Sequence, residues 1–177
     1  MGMRKTLKAF SFFEVILYLG LFSLLATALL TFSWDVLDLS DKNETGQYVF
    51  SDARFVSERL GTLVRKASGI DTEASVLDDS NGKLVLNQIG SSDTVTVELV
   101  SGRVMLTESG SEAVALHSLS TQVASLTFQK YGTSEDGSEY VGYTLVFEAA
   151  KNDENAPSRY QAATTLESGA FIRNSGL

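Results

Sequence analysis

Apolar residues form one long run near the start of the chain. Between Phe10 and Trp34 the sequence contains a single charged residue, Glu14. A helix of 25 residues, at about 1.5 Å per residue, is about 37 Å long, which exceeds the ~30 Å hydrocarbon core of a bilayer. The pattern therefore predicts a membrane-spanning helix over residues 10–34.

The charges on either side of this run predict its orientation. Basic residues precede it and acidic residues follow it: Arg4, Lys5 and Lys8 before, and Asp35, Asp38 and Asp41 after. Positively charged flanks stay on the cytoplasmic side of a membrane. The sequence thus predicts a single-pass protein with its N-terminus in the cytoplasm and the remainder outside.

A second helical pattern follows over residues 35–69. Its apolar residues recur at spacings of three, four and seven, and they are Val49, Val56, Leu60, Leu63, Val64 and Ala67. This spacing is typical of an amphipathic helix that packs one face on a domain. Gly69 is the predicted stop, with Arg65 and Lys66 in the last turn. Residues 40–46 contain poor helix formers, Gly46 included, and predict a weak joint or kink.

From Val76 onward the pattern alternates with a period of two, which indicates β-strands. The predicted strands are Lys83–Gln88, Thr94–Val100, Arg103–Thr107, Glu112–Leu116, Val123–Lys130, Val141–Ala149 and Tyr160–Thr165. Asn81-Gly82 and Ser101-Gly102 are turn signals, and the second fits a two-residue hairpin loop. We therefore expect an α+β fold, in which the amphipathic helix packs on an antiparallel sheet formed by residues 70–177.

Glu14 is the anomaly of the apolar run. A carboxylate costs about 2 to 3 kcal/mol at the centre of a membrane helix, and less near an end that reaches interfacial water. In a plain anchor Glu14 lies near the cytoplasmic interface, partly hydrated or protonated. A functional interpretation gives it a positively charged partner.

The residues around Glu14 carry a family resemblance. The segment Lys8-Ala9-Phe10-Ser11-Phe12-Phe13-Glu14-Val15-Ile16-Leu17 resembles the class III signal of type IV pilins and pseudopilins. The resemblance implies that a membrane-embedded prepilin peptidase removes a leader of residues 1–9 by cleaving between Ala9 and Phe10. It also implies N-methylation of Phe10, whose new amine Glu14 neutralises to align neighbouring subunits. Ala9 stands where the family usually has glycine.

The later part of the chain is similar in strand order to minor pseudopilins of type II secretion systems, nearest to the J-type subgroup. The segments that carry this resemblance are Ser118–Val123, Leu126–Phe128, Tyr143–Phe147, Tyr160–Leu166 and Ile172–Asn174. This resemblance implies a structural, non-enzymatic subunit of a type IV pilus or a secretion pseudopilus. Its implied partners are a prepilin peptidase and methyltransferase, other pilins through the N-terminal helix, and an inner-membrane assembly platform. The implied location is the cytoplasmic membrane, with the head domain periplasmic or extracellular.

Other interpretations of the N-terminal run stay open. Ala26-Thr27-Ala28 imitates the cleavage site of a secretory signal, although the apolar run is too long for one and continues beyond it. A plain signal anchor would keep residues 1–9. On such an anchor the head would be a binding or sensory domain that never polymerises, or an exported hydrolase.

Composition narrows the function further. The formal charge is −8, and loss of the three leader cations would leave 11 basic against 22 acidic residues. A surface this acidic argues against nucleic-acid binding. The chain has no cysteine, which excludes disulfides, thiol nucleophiles and cysteine metal sites. The missing disulfide and the long head favour a minor over a major subunit.

The sequence contains few candidates for catalytic or metal-binding residues. His117 is the single histidine, and we expect it to be structural or solvent-facing. The acidic loops 134–139 and 152–155 carry oxygen ligands of the kind that calcium uses, but they lack the EF-hand spacing, and solvated loops are the better interpretation. Residues 78–82 read as a turn. We therefore predict no enzyme activity, no cofactor and no metal.

Overall fold

The computed structural model describes residues 11–132, 139–150 and 161–172. The chain divides into two compact units, Met1–Ser40 and Asp41–Leu177. The division falls within the segment 40–46 that the sequence marks as a weak joint. The backbone of that segment is helical.

One long helix, α1, runs from Phe12 to Lys66. Its second part, from Asp41, carries the predicted amphipathic face, and Arg65 and Lys66 lie in its last turn. The prediction that the helix stops at Gly69 is wrong. The residues Ala67–Ile70 instead form strand β1, because their backbone groups pair with Leu86–Gln88, and Gly69 lies opposite Asn87.

Five antiparallel strands form the first sheet, in the order β1 to β5. After β1, the strands are β2 (Lys83–Gln88), β3 (Thr94–Val100), β4 (Arg103–Glu108) and β5 (Val114–Ala115). Strands β2 and β3 have the predicted bounds, whereas β5 keeps only two residues of its predicted segment. The predicted two-residue hairpin is confirmed: Val100 pairs with Arg103, and Ser101 and Gly102 have φ values of 50° and 75°.

The last three strands form a separate antiparallel sheet in the order β6, β7, β8. They are β6 (Thr121–Tyr131), β7 (Tyr140–Ala149) and β8 (Ala163–Phe171). The predicted strand Tyr160–Thr165 is misplaced: β8 begins at Ala163 and continues to Phe171, and Tyr160 lies outside the described residues. The C-terminal end of β8 is held by backbone pairing with β7, in which Val141 pairs with Ala170 and Tyr140 pairs with Phe171.

The two sheets meet at Gly82. Its N–H donates to the carbonyl of Leu126 at 2.8 Å, and an added Cβ would lie only 2.5 Å from that carbonyl oxygen. Glycine is therefore required by a close backbone approach. The loop that ends at Gly82 is closed by the bridge between Val76 and Lys83, so residues 78–82 form the predicted turn.

The core of the Asp41–Leu177 unit lies between helix and sheets. The buried helix face is built from small and branched residues, namely Val49, Ala53, Val56, Leu60 and Val64. The sheets supply Leu84, Val97 and Val104 from the first and Leu126, Phe128, Leu145 and Phe147 from the second. Tyr143 reaches across this core and donates from Oη to the Ser57 carbonyl at 2.7 Å. The α+β fold, a helix packed on antiparallel sheets, is thus confirmed.

Candidate functional site

The first part of α1 has an apolar surface without any cover in its own unit. None of the residues in its most apolar 18-residue window is buried. Leu24 is 72% exposed and Phe22 is 67% exposed. Among the described residues α1 is long and apolar enough, by length and composition, to cross a membrane.

Several hydroxyl side chains in this apolar helix form their hydrogen bonds within the helix itself. Four hydroxyls each donate to the carbonyl four residues earlier, at 2.8 to 3.1 Å: those of Ser23, Thr27, Thr31 and Ser33. Such bonds leave no hydroxyl hydrogen in need of water. The helix surface is therefore compatible with an apolar environment despite these residues.

Glu14 lies in the first turn of α1, at the end of the helix that carries a partial positive charge. Its backbone N–H donates to the Ser11 carbonyl at 3.0 Å. Its side chain accepts from the Tyr18 hydroxyl at 3.4 Å, one turn further on. Sequence reasoning missed Tyr18, although its i+4 spacing from Glu14 was a signal. Ala9 and Phe10, the predicted cleavage and methylation residues, lie outside the described residues.

A second polar cluster, here called the Asp52 latch, ties α1 to the loop before β6. Asp52 Oδ2 accepts from the Ser118 hydroxyl at 2.7 Å, from the Ser118 N–H at 3.2 Å and from the Thr121 hydroxyl at 2.6 Å. Burial by itself raises the pKa of the Asp52 carboxyl, but the hydrogen bonds from Thr121 and Ser118 outweigh it, so its pKa is lowered. Only a weak sequence signal pointed to Asp52: it is an acidic residue next to the apolar helix positions Val49 and Ala53.

His117 completes the latch as a buried residue. Its Nε2 accepts from the Val104 N–H at 3.2 Å, so the proton lies on Nδ1, which is 3.1 Å from both Thr121 Oγ1 and the Ser118 carbonyl. Arg103 donates to the His117 carbonyl at 3.1 Å. Burial lowers the pKa of His117.

The latch resembles a catalytic triad in composition but not in arrangement. A Ser-His nucleophile needs a ring nitrogen free to take the hydroxyl proton. Both nitrogens of His117 are engaged by the backbone and by Thr121, while the Ser118 hydroxyl points at Asp52. The arrangement holds a loop against a helix, in line with the predicted structural role of His117.

Most of the two predicted acidic loops, namely residues 134–138 and 152–155, lies outside the described residues, and the solvated state of those residues stays a prediction. Glu139, at the end of the first loop, is buried and pairs with Lys130 at 2.9 Å, so it is not solvated as predicted. Within residues 11–132, 139–150 and 161–172, no group of three acidic or histidine residues is placed to hold a metal ion.

Comparison with known proteins adds no relative. No family model, no curated protein and no solved structure matches the chain.

Proposed function

We propose that this chain is a structural, non-enzymatic subunit of the type IV pilin and pseudopilin class, with a minor role in its filament. In this proposal it is made as a membrane-anchored precursor, cleaved between Ala9 and Phe10, and N-methylated on Phe10. The observation that carries the proposal is the uncovered apolar surface of α1, which has a carboxylate, Glu14, at its very start.

Two apolar environments suit such a helix in turn. Before assembly, lipid covers the apolar surface and the basic leader stays in the cytoplasm. After assembly, the same surface is covered by the helices of other subunits in the filament core. A helix whose polar hydroxyls are already satisfied transfers between these environments without exposing unpaired groups.

Glu14 supplies the negative charge that we assign to the assembly step. Cleavage at Ala9 frees an amine on Phe10, four residues before the carboxylate. An unpaired charge in an apolar environment is costly, whereas a charge pair is much less so. The pairing of Glu14 with the Phe10 amine, in the same chain or a neighbour, would therefore favour an aligned subunit over a misaligned one.

The partners and location follow from this route. The precursor meets a prepilin peptidase and methyltransferase in the cytoplasmic membrane, and an inner-membrane assembly platform passes it to other pilins or pseudopilins. The Asp41–Leu177 unit then lies on the periplasmic or extracellular side. No cofactor, metal or nucleic acid takes part.

The mature N-terminus tests the proposal directly. We expect mass spectrometry of the protein from its native cells to find a chain that begins at Phe10 and is about 14 mass units heavier through methylation. A chain that keeps residues 1–9 in cells with an active peptidase would sink the proposal and favour a membrane-tethered domain that does not polymerise.

Substitution of Glu14 tests the assembly step. We expect Glu14→Ala to insert into the membrane normally and to be lost from filaments, because the Phe10 amine no longer has its partner. Tyr18→Phe is the matched control, since it removes only the 3.4 Å bond to Glu14 and should leave filament content unchanged. Filament content is measured by immunoblotting of sheared fractions, and normal incorporation of Glu14→Ala would contradict the assigned role.

A further inference from the structure

Strand β8 forms one edge of the second sheet. On one side it pairs with β7, and within the described residues no strand pairs with its other side. Its nine residues, at about 3.3 Å each, make this edge about 30 Å long. An edge strand presents backbone N–H and C=O groups with which a further strand can pair.

The register between β7 and β8 identifies the residues whose backbone groups face this edge. The Ala149 N–H donates to the Ala162 carbonyl, and the Ile172 N–H donates to the Glu139 carbonyl. Opposite residues of an antiparallel pair exchange such bonds only at every second position. The even-numbered residues of β8 therefore bond to β7. The odd-numbered residues direct their N–H and C=O groups to the free edge, and they are Ala163, Thr165, Glu167, Gly169 and Phe171.

The side chains of these odd-numbered residues lie on the sheet face that points away from the core. Glu167 is exposed and Phe171 is 63% exposed. Leu166 and Ala170, at even positions, instead contribute to the hydrophobic core or pack against it. A strand added beside β8 would place every second side chain on the outward face, next to Glu167 and Phe171.

Aromatic rings cover one end of this outward face. Tyr131, Tyr140 and Phe171 lie opposite one another on the three strands, with ring centres 6.0 Å and 4.9 Å apart. A Cβ added at Gly169 would overlap the Tyr140 hydroxyl, so the Tyr140 side chain extends over β8. Ring surface is thus available close to the free edge.

The charges of the outward face are negative. Glu148 and Glu167 are its charged side chains among the described residues, as the register of the three strands shows. The one cation in these strands, Lys130, lies on the opposite face and pairs with Glu139 at 2.9 Å. Aromatic rings beside a carboxylate attract a guanidinium or ammonium group.

We propose that β8 is a docking edge for an extended segment of a different protein. The segment adds a fourth strand to the second sheet and places arginine or lysine beside Glu167 and Phe171. A second copy of β8 is a poorer fit, because that strand carries a carboxylate and no cation. The inference goes beyond the proposed function and does not depend on it.

Amide hydrogen exchange tests the register of this docking. The probe is a capped nine-residue peptide of alternating arginine and threonine, added at millimolar concentration to the isotope-labelled full chain in neutral detergent. We expect exchange at Thr165, Glu167 and Gly169 to slow at least about tenfold, because their N–H groups gain acceptors. Exchange at Leu166 and Ala170 should stay unchanged, since these residues already bond to β7. A matched peptide of alternating glutamate and threonine should have no effect.

Charge reversal tests the recognition of the cation. Glu167→Arg should weaken binding of the arginine peptide about tenfold, measured by fluorescence anisotropy, because like charges then face each other. Glu167→Gln keeps the shape of the side chain and should give a smaller loss in the same direction. Glu73→Arg is the matched control, since Glu73 is exposed, lies outside the second sheet and changes the net charge equally.

The other outcomes overturn this inference. They are no binding of the arginine peptide, equal binding of the glutamate peptide, and protection of amides elsewhere than at the free edge. Protection of the same odd-numbered amides that rises with chain concentration, without any peptide, would assign the edge to a second copy instead. Because the N-terminus of the mature chain is measured separately, a retained leader would remove the filament proposal and leave the docking edge in place.

Discussion

The two halves of α1 share one backbone conformation and have opposite surroundings. The half in the Met1–Ser40 unit exposes Leu24 at 72%, whereas Leu60 in the other half is fully buried beneath the sheets. Helical hydrogen bonds are local and form in both halves. Stability of the folded domain comes instead from the apolar area that the second half buries.

Matched leucine substitutions test this comparison, and we expect the largest effect from them. Leu60→Ala should lower the free energy of unfolding of the Asp41–Leu177 unit by about 2–5 kcal/mol, because it leaves a cavity in a packed core. Leu24→Ala should leave that free energy unchanged. Urea titration of the full chain in detergent, followed by near-ultraviolet circular dichroism, measures both variants.

A similar loss in the two leucine variants would mean that the first half also carries the stability of the head. If Leu24→Ala were lost from filaments while the head kept its stability, the role of Leu24 would be in assembly.

The sequence predicts what depends on near neighbours along the chain. Strands β2 and β3 follow from alternation, and the hairpin at Ser101-Gly102 follows from the need for positive φ. Glu14 was singled out from the sequence because a carboxylate inside an apolar run is energetically costly, and its role in assembly stays a prediction.

Contacts between distant segments escaped prediction. The two sheets are joined where the Gly82 N–H donates to the Leu126 carbonyl, and no local sequence pattern marks these two residues as neighbours. The Asp52 latch joins residues 66 positions apart, so no spacing rule finds it. The end of β8 lacks an alternating apolar pattern and is fixed by its backbone pairing with β7.

The Asp52 latch makes the stability of the second half of α1 depend on pH. The folded protein lowers the pKa of Asp52 and of His117 from their ordinary values of 3.8 and 6.5. In both cases the unfolded chain binds protons more readily, so acid favours unfolding. Stability should be constant above about pH 7, fall as the pH drops below 6.5, and fall again near and below 3.8.

Asp52→Ala should cost about 1–2 kcal/mol at neutral pH, because it removes charge-assisted hydrogen bonds from a partly exposed site. It should also abolish the lower step of the pH profile, whereas His117→Gln should abolish the upper one. Thermal melts of each variant between pH 3 and pH 8, in buffers of about 0.1 M ionic strength, measure both steps. A wild-type melting temperature that rises on acidification would contradict the sign of both pKa shifts.

The smallest expected effect concerns the glycine in each half of the helix. Gly46 and Gly20 both lie in helical backbone, and a Cβ at either would meet no atom within 4 Å. In a helix interior, alanine is more favourable than glycine by about 1 kcal/mol.

Gly46→Ala should therefore stabilise the Asp41–Leu177 unit by up to about 1 kcal/mol, because that part of the helix unfolds with the core. Gly20→Ala should leave the same urea transition unchanged, since Gly20 belongs to the other compact unit, Met1–Ser40. Slower amide exchange in residues 41–50 of Gly46→Ala would locate the gain, and an equal gain from Gly20→Ala would show that the two halves unfold together.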